Sequence, residues 1–335
     1  MHRREPSMKM YNVWVAEKSY HDYSIEKQIV ESSGATLKFA HCRSEEDIIH
    51  TCCDAHAILL RQTPLGERAF RHLQSLKVVS RYGVGYDNVD IRAATSHGVV
   101  VTCVPDYCVS EVADHTIALL LSAMRKIVQR DRYVHAGHWD IGSDLPVHRT
   151  SGKTVGLVGY GKTAREVRRR LSGFPFRFIS CDPYAPEAAF ESDGTLRVDF
   201  HTLVMVAHYI SIHAPLNDET FHMFDTHVFR KMRRNALLVN TSRGQIIDPE
   251  SLCRALEEGL IAGAALDVYE TEPLPEQDAL REMDTVILSD HAAWYSEESQ
   301  KELQMRTALE AMSVLSGEAP HHIVNPEVMK NFTSQ

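Results

Sequence analysis

The stretch of the chain that most constrains its fold runs from residue 152 to residue 182. It begins with a β-branched, apolar run at 154–158, which a glycine-rich turn and a segment of helical character follow. A second apolar run, at 176–180, leads to Asp182. A strand, a glycine-rich turn, a helix and a second strand with an acidic end form the arrangement that binds a dinucleotide. The sequence therefore predicts a nucleotide-binding domain around this stretch.

The glycine-rich turn has the residue types that this role requires. Gly159 permits the tight turn, and Gly161 lets the backbone approach a pyrophosphate, whose charge the N-terminus of the next helix favours. Asp182 follows about 20 residues later, where a carboxylate can accept hydrogen bonds from a ribose diol. Because this carboxylate would repel a 2′-phosphate, the sequence favours NAD over NADP. A strand–turn–helix unit without a ligand is the alternative interpretation.

Composition excludes several classes of protein. The chain has 335 residues, enough for two domains, and 44% hydrophobic with 24% charged residues is ordinary for a globular protein. A net charge of −9 argues against nucleic acid as a partner, and no apolar run has the length of a membrane span or a secretion signal. The seven cysteines include no CxxC pair, and the 19 histidines show no HExxH spacing. We therefore expect a reduced, cytoplasmic protein with no metal site.

Strands and helices alternate along the chain on both sides of the glycine-rich turn. Before it, strands are predicted at 10–15, 36–39, 56–60, 77–81 and 99–101, with helices at 24–32, 44–52, 67–73 and 88–96. After residue 182, strands are predicted at 209–212, 236–239, 262–266 and 286–288, with helices at 249–258 and 296–315. This alternation predicts parallel sheets covered by helices on both faces, the first of them without a dinucleotide fingerprint.

The segment between these two series is predicted to be helical and then irregular. Ser110 is a candidate cap for one long helix, whose apolar positions recur from residue 112 to residue 128. Residues 133–150 contain glycines and a proline and are predicted to form irregular chain. An exposed Trp139 in so long a loop needs a partner, and we expect a second subunit to supply one.

Chemically suitable side chains follow three of the later predicted strands. They are Arg243, Glu272 and His291, and ligands of open parallel sheets bind beyond the carboxyl ends of the strands. An arginine can hold a carboxylate, and a histidine can donate a proton to a carbonyl oxygen while a nearby carboxylate stabilises the protonated ring. Beside a nicotinamide, which supplies hydride, these three residues predict a hydride-transfer site. Taken singly, each type of residue is more often a surface ion-pair member or a core residue.

The motifs together resemble the D-isomer-specific 2-hydroxyacid dehydrogenase family over nearly the whole chain. The matching stretches are RYGVGYDNVD at 81–90, the turn at 159 with Asp182, SIHAPL at 211–216, NTSRG at 240–244, ALDVYE at 265–270 and SDHAAW at 289–294. Within the family, VPDYC at 104–108, EVADH at 111–115 and HAAWYS at 291–296 are most similar to the C-terminal-binding-protein-like branch.

The resemblance implies a role for each matching residue. Arg243 would bind the substrate carboxylate, His291 would be the acid and base, and Glu272 would be the carboxylate partner of His291. The implied substrate-binding residues are Val84 and Gly85, through backbone N–H groups, together with Arg243 and with Trp294, for which plain core packing is the alternative. The implied cofactor-binding residues are Thr116, Gly159, Tyr160, Gly161, Lys162, Thr163, Asp182, His213, Ala214, Pro215, Thr220, Thr241, Ser242, Asp267 and His291. Among these, Thr116 would lie near the phosphates and nicotinamide, Asp267 would meet the carboxamide, and the loop that begins at His213 would line the adenosine.

The resemblance also implies an architecture and a function. The fold would be α/β with two doubly wound parallel-sheet domains: a Rossmann NAD-binding domain at 106–297, inserted in a discontinuous, flavodoxin-like substrate domain at 1–105 plus 298–335. The domains would close over the substrate, and a homodimer would form on the NAD-binding domain. We expect an NAD-dependent oxidoreductase that interconverts a small-molecule 2-oxo acid and a D-2-hydroxy acid, without nucleic acid or membrane partners. The alternative is an NAD(H)-sensing, corepressor-like binding protein with weak or no turnover.

Overall fold

The computed structural model describes residues 11–141 and 146–329. In this part of the chain the strands are β1 Asn12–Val15, β2 Thr36–Phe39, β3 Ala57–Leu60, β4 Val78–Arg81, β5 Val100–Thr102, β6 Thr154–Val158, β7 Arg177–Cys181, β8 Leu196–Arg197, β9 Tyr209–Ile212, β10 Leu237–Asn240, β11 Gly263–Leu266 and β12 Val286–Leu288. The α-helices are α1 Ser24–Ser32, α2 Glu45–Thr51, α3 Glu67–His72, α4 Ile91–Ser96, α5 Val109–Arg125, α6 Ile127–His135, α7 Lys162–Arg170, α8 Glu187–Glu191, α9 Phe200–Val206, α10 Thr226–Lys231, α11 Pro249–Glu257 and α12 Glu297–Ser316. Short 3₁₀ helices lie at Leu171–Gly173, Gly244–Ile246 and Ala279–Glu282.

Contacts divide the chain into two compact units. Unit 1 comprises Met1–Tyr107 and Ser296–Gln335, and unit 2 comprises Cys108–Tyr295. The predicted domains were 1–105 plus 298–335 and 106–297, so each predicted boundary lies close to a boundary between the units. Among the described residues, no helix combines the length and the apolar character needed to cross a membrane.

Unit 1 is built on a parallel sheet with the strand order β2-β1-β3-β4-β5. This is the order of flavodoxin-like doubly wound folds. Every residue of β3, β4 and β5 is buried, as expected for strands with helices on both faces. The C-terminal helix α12 belongs to this unit, and the hydroxyl of Ser80 on β4 donates to the carbonyl of Thr307 on α12 at 2.8 Å. The unit is therefore made of two segments that are distant in the sequence.

Unit 2 is built on a longer parallel sheet with the strand order β12-β11-β10-β9-β6-β7-β8. All its described strand pairs are parallel. Chain order reverses between β6 and β9, which are direct neighbours. In a Rossmann fold this switch point is where the dinucleotide binds, because the loops after the two strands diverge there. The predicted α/β fold with two doubly wound parallel sheets is confirmed.

Two local predictions in the linking segment are wrong. The long helix is interrupted at Lys126, whose left-handed φ of 55° separates α5 from α6. The apolar pattern continues across this break, so spacing alone could not locate it. Ser110 is not the cap: α5 begins at Val109, and the Ser110 hydroxyl accepts from Nη2 of Arg170 at 2.6 Å.

The predicted irregular region begins later than expected. Residues 133–135 are the last residues of α6, and irregular chain follows them. Gly142 lies outside the described residues. Trp139 lies within the described residues, and it is 88% exposed, as the sequence predicts.

Candidate active site

His291 and Glu272 form a close pair at the carboxyl edge of the unit 2 sheet. They follow β12 and β11, which are neighbouring strands. Nδ1 of His291 lies 2.6 Å from Oε2 of Glu272, and the backbone N–H of Tyr269 donates to Oε1 of Glu272 at 3.1 Å. Burial raises the pKa of Glu272, but the hydrogen bond and positive charge of His291, the Tyr269 N–H and, least of all, the charge of Arg243 together outweigh it, so the pKa lies below its ordinary value. The pair is therefore built to keep Glu272 ionised beside the His291 ring.

The backbone of His291 holds an uncommon conformation. Its φ is +57°, in the left-handed region that few residues other than glycine adopt. Its N–H donates to the carbonyl oxygen of Asp267 at 2.8 Å. This bond holds the backbone of His291, and the Nδ1 contact with Glu272 holds its ring. This leaves Nε2 as the ring atom that can exchange a proton with a ligand.

The loop that carries Arg243 is held by Asn240, at the end of β10. The Asn240 side chain is buried; its amide donates to the carbonyl of Arg243 at 2.8 Å and its oxygen accepts from the N–H of Ser242 at 3.0 Å. Nη1 of Arg243 donates to the Ser242 carbonyl at 2.8 Å. Asn240 had no predicted role, although a polar side chain at a strand end was the available signal.

Gly244 brings the Arg243 loop against the Glu272 loop. A Cβ atom at Gly244 would lie 1.8 Å from the carbonyl carbon of Tyr269 and 2.4 Å from the N of Glu270, both backbone atoms. Only a glycine allows the two loops to pack at this distance. Gly244 had no predicted role either, because its requirement arises from a contact with a loop distant in sequence.

The glycine-rich turn lies at the switch point of the sheet. Gly159 follows β6 with φ +88°, and a Cβ there would lie 2.8 Å from the N of Ala214 in the loop after β9. Gly161 has an ordinary φ of −74° and open space where a Cβ would stand. It precedes α7, whose N-terminus has no side-chain cap. Uncapped N–H groups behind an open glycine fit the pyrophosphate of a dinucleotide.

Asp182 is fixed at the end of β7 by backbone donors. Its Oδ2 accepts from Tyr160 N–H at 2.7 Å, and its Oδ1 accepts from Tyr184 and Ala185 N–H groups at 2.9 and 3.1 Å. A carboxylate has about four acceptor sites, so it can still accept a bond from a ribose hydroxyl. The sequence shows no arginine close to Asp182, but the fold brings Nη2 of Arg197 to 3.0 Å from the Asp182 carbonyl oxygen.

The structure brings several other predicted cofactor residues together. Thr116 and Thr241 contact each other through their hydroxyls at 2.8 Å, and the Ser242 hydroxyl donates to the Ala214 carbonyl at 2.5 Å. In the same loop as Ala214, the Thr220 hydroxyl donates to the Pro215 carbonyl at 2.6 Å. Lys162 and Thr163 form the first turn of α7.

Two predicted cofactor residues, Tyr160 and Asp267, direct their side chains into the protein, and a third, His213, is half-buried. The hydroxyl of Tyr160 lies 2.6 Å from Asp193, so only its backbone faces the turn. The side chain of Asp267 has no exposed surface and binds backbone N–H groups of the segment that follows His291. Burial lowers the pKa of His213 to about 4, so this ring is neutral at physiological pH, and its Nε2 lies 2.9 Å from the Ser211 hydroxyl.

The predicted substrate-binding residues lie in both units. Arg243 and Trp294 lie in unit 2, where Trp294 is half-buried and its ring is edge-on to Tyr295. Val84 and Gly85 lie in unit 1, in the loop after β4, and Val84 is 44% exposed. The roles of these residues in substrate binding stay predictions.

Comparison with known proteins decides the family. The family model for the NAD-binding domain of D-isomer specific 2-hydroxyacid dehydrogenases matches residues 117–293. The chain belongs to the D-isomer-specific 2-hydroxyacid dehydrogenase family. This dehydrogenase is 38% identical over 281 residues to a glyoxylate reductase of Korarchaeum cryptofilum, a match that spans 83% of this chain and 84% of the relative.

Two further matches agree with this result. A D-3-phosphoglycerate dehydrogenase of Archaeoglobus fulgidus is 35% identical over 297 residues, spanning 88% of this chain and 56% of that protein. The crystal structure of a glyoxylate reductase from Paecilomyes thermophila has a TM-score of 0.84 and 29% identity, covering 95% of this chain and 99% of that one. The predictions of family, NAD as cofactor and an NAD-dependent D-2-hydroxyacid dehydrogenase are confirmed. The similarity to the C-terminal-binding-protein-like branch stays a prediction.

Proposed function

We propose that this dehydrogenase reduces a 2-oxo acid to the D-2-hydroxy acid with Arg243, Glu272 and His291 as its catalytic residues. The observation that carries the proposal is the 2.6 Å contact between His291 Nδ1 and Glu272 Oε2, together with the close packing of the Arg243 loop against the Glu272 loop at Gly244. These groups stand at the same edge of the unit 2 sheet as the glycine-rich turn, because all strands of that sheet are parallel.

Each of the three residues has a distinct task in this reaction. The planar guanidinium of Arg243 binds the substrate carboxylate with paired hydrogen bonds and polarises the adjacent carbonyl. Nε2 of His291 donates a proton to the carbonyl oxygen as the alcohol forms, and it accepts that proton in the reverse direction. Glu272 holds the ring through Nδ1 and balances the charge of the protonated imidazole. NADH, when bound, supplies the hydride.

The glycine-rich turn and its neighbours would hold the cofactor. Gly161 and the first N–H groups of α7 would bind the pyrophosphate, and Asp182 would accept from the adenosine ribose. Thr116 and Thr241, which already contact each other, would face the phosphates and the nicotinamide ribose. We expect Asp182→Ala to weaken the preference for NADH over NADPH. Unchanged discrimination between the two in a kinetic comparison would contradict the role of Asp182.

The substrate is proposed to be a small 2-oxo acid such as glyoxylate, because the relatives that match most of this chain include glyoxylate reductases. The test is NADH oxidation with glyoxylate, pyruvate, hydroxypyruvate and 3-phosphohydroxypyruvate, at matched protein concentration. Turnover of at least one, with a D-hydroxy acid as product, is the expected result. No turnover of any of them by folded protein that binds NADH would refute the proposal.

Substitutions separate the proposed roles. We expect Arg243→Ala mainly to raise KM, and His291→Ala to abolish turnover, while both variants bind NADH with near-normal affinity. NADH affinity is measured by fluorescence titration, which does not depend on turnover. An equal loss of NADH affinity in both variants would instead indicate that these residues support the fold of unit 2.

We further propose that the enzyme is a cytoplasmic homodimer. Large apolar side chains on and after α6 are exposed, with Ile127 at 55%, Val134 at 50%, and Trp139 and Ile141 at 88%. Four such side chains on one short segment indicate a protein-binding surface. All seven cysteines are free, which fits a reducing compartment. Light scattering tests the assembly: a monomeric mass for the wild type, or a dimer unaffected by Trp139→Ser, would contradict this interface.

A further inference from the structure

Asp267 is a buried carboxylate that organises the segment carrying His291. Its side chain has no exposed surface. Its Oδ1 accepts from the Ser289 hydroxyl at 2.6 Å and from the Ala292 N–H at 2.9 Å, and its Oδ2 accepts from the Ala293 N–H at 2.9 Å. Bonds on both sides of His291 therefore end on a single carboxylate.

His115 brings a basic side chain to this carboxylate from α5. Its Nε2 lies 3.0 Å from the Ser289 hydroxyl and 3.5 Å from Oδ1 of Asp267, and its side chain is 28% exposed. The next residue, Thr116, contacts Thr241 through its hydroxyl. In this turn of α5, His115 thus contacts the segment that carries His291, and Thr116 contacts the predicted cofactor-binding loop at Thr241.

The hydrogen-bond pattern determines where the proton of His115 lies. The Ser289 hydroxyl has one proton, and the 2.6 Å bond to Asp267 uses it. Toward His115 the Ser289 oxygen can only accept, so Nε2 of His115 carries a proton. His115 therefore donates to Ser289 in both the neutral and the protonated state of the ring, and it can partly compensate the buried charge of Asp267.

His291 needs such support because its backbone conformation is strained. A left-handed φ of +57° persists in a residue other than glycine only when the surroundings enforce it. The described surroundings that do so are the Asp267 carbonyl, which accepts the His291 N–H, and the bonds from Ser289, Ala292 and Ala293 to the Asp267 carboxylate. His115 contacts both partners of the Ser289–Asp267 hydrogen bond, the Ser289 hydroxyl and the Asp267 carboxylate.

We propose that His115 is a positioning residue for His291: through Ser289 and Asp267 it fixes the segment 289–293 so that the His291 ring stays on Glu272. The proposal rests on the proposed role of His291 as the acid and base. His115 reaches the His291 segment through the Ser289 hydroxyl rather than through the His291 ring, so its effect on turnover is indirect.

The first test compares His115→Leu, which removes the donor at similar size, with His115→Gln, whose amide N–H can replace Nε2–H. We expect Leu to lower kcat about tenfold, with KM and NADH affinity changed less than about twofold, and Gln to recover most of the lost kcat. A parallel loss of kcat and NADH affinity in His115→Leu, or no loss of kcat, would overturn the proposal.

The second test uses Ser289→Ala, which breaks the same chain of hydrogen bonds at its next member. Because both substitutions act through one path, the double variant His115→Leu with Ser289→Ala should lose no more kcat than the more damaging single variant. Additive losses would show that the two residues act independently, and would refute the path. If His115→Leu folds poorly, the cycle is run with His115→Gln: without the Ser289 hydroxyl its amide has no partner, so the double variant His115→Gln with Ser289→Ala should have the kcat of Ser289→Ala.

A third readout does not depend on turnover. The proton on Nδ1 of His291, bonded to Glu272, should give a far-downfield NMR resonance that His291→Gln removes. We expect this resonance to weaken or shift in His115→Leu and to stay in place in His115→Gln. An unchanged resonance in His115→Leu would overturn the proposal. If the wild type reduces no 2-oxo acid, the proposed function fails, whereas this resonance still reports whether His115 positions the ring.

Discussion

A single methyl group at Gly244 should separate the loops that carry Arg243 and Glu272. An alanine Cβ at this buried position would stand 1.8 Å from the carbonyl carbon of Tyr269 and 2.1 Å from its oxygen. Carbon atoms in contact lie about 3.5 Å apart, so the two backbones would have to move apart by about 1.7 Å. Because the obstacle is backbone rather than a flexible side chain, the strain cannot be relieved by a change of rotamer.

The size of the effect follows from this displacement. Overpacking of a buried site costs about 1–3 kcal/mol, and we expect Gly244→Ala to lower the free energy of unfolding by about 3 kcal/mol. A displacement of about 1 Å at a catalytic group can cost about 100-fold in rate, and the predicted loss of kcat/KM is of this order. The loss of activity should exceed any change in NADH affinity, since the glycine-rich turn is not displaced.

The matched control is Gly173→Ala. Gly173 lies in the same unit, has open space where a Cβ would stand and is exposed. We expect its unfolding free energy to change by less than about 1 kcal/mol and its kcat/KM to remain that of the wild type. Urea titration followed by far-UV circular dichroism measures stability, and NADH oxidation measures activity. If Gly244→Ala has the same unfolding free energy and the same kcat/KM as Gly173→Ala, close packing at Gly244 does not hold the two loops together.

Three further substitutions test other parts of unit 2. Gly161→Ala places a methyl group in open space at an ordinary φ, so the variant should be as stable as the wild type. Because that space is the proposed pyrophosphate site, NADH affinity should fall at least about tenfold, and normal NADH binding would place the pyrophosphate elsewhere. The His213 pKa of about 4 lies below its ordinary 6.5, so His213 stabilises the fold above pH 6.5 and loses that contribution as pH falls toward 4. His213→Gln should therefore flatten the dependence of unfolding free energy on pH in that window, by up to about 1.4 kcal/mol per pH unit, and an unchanged slope would contradict the neutral ring. Glu272→Gln should lower kcat about 100-fold or more, and a variant with the kcat of the wild type would exclude the proposed pair. Because the Glu272 pKa lies below its ordinary 4.5, the wild type should be more stable than this variant above pH 4.5. That stability advantage should shrink only as pH falls below 4.5.

The sequence by itself determined the units of the fold and the types of residue at the candidate active site. Apolar runs of strand length separated by helical segments leave few alternatives to a parallel sheet covered on both faces, because such strands must be buried on both sides. Gly159, Gly161 and Asp182 lie within one strand–turn–helix–strand unit, so their spacing can be read directly from the linear sequence. For the same reason the strand ends that carry Arg243, Glu272 and His291 could be located from the apolar runs that precede them.

Only the tertiary structure decided how these residues are held in place. The requirement for glycine at 244 comes from the backbone of Tyr269, and the contact of His115 with Ser289 joins residues that are 174 positions apart in the sequence. The burial of Asp267 and the approach of Arg197 to Asp182 likewise depend on which strands become neighbours. Such contacts are set by strand order and loop packing, which no periodicity along the chain encodes.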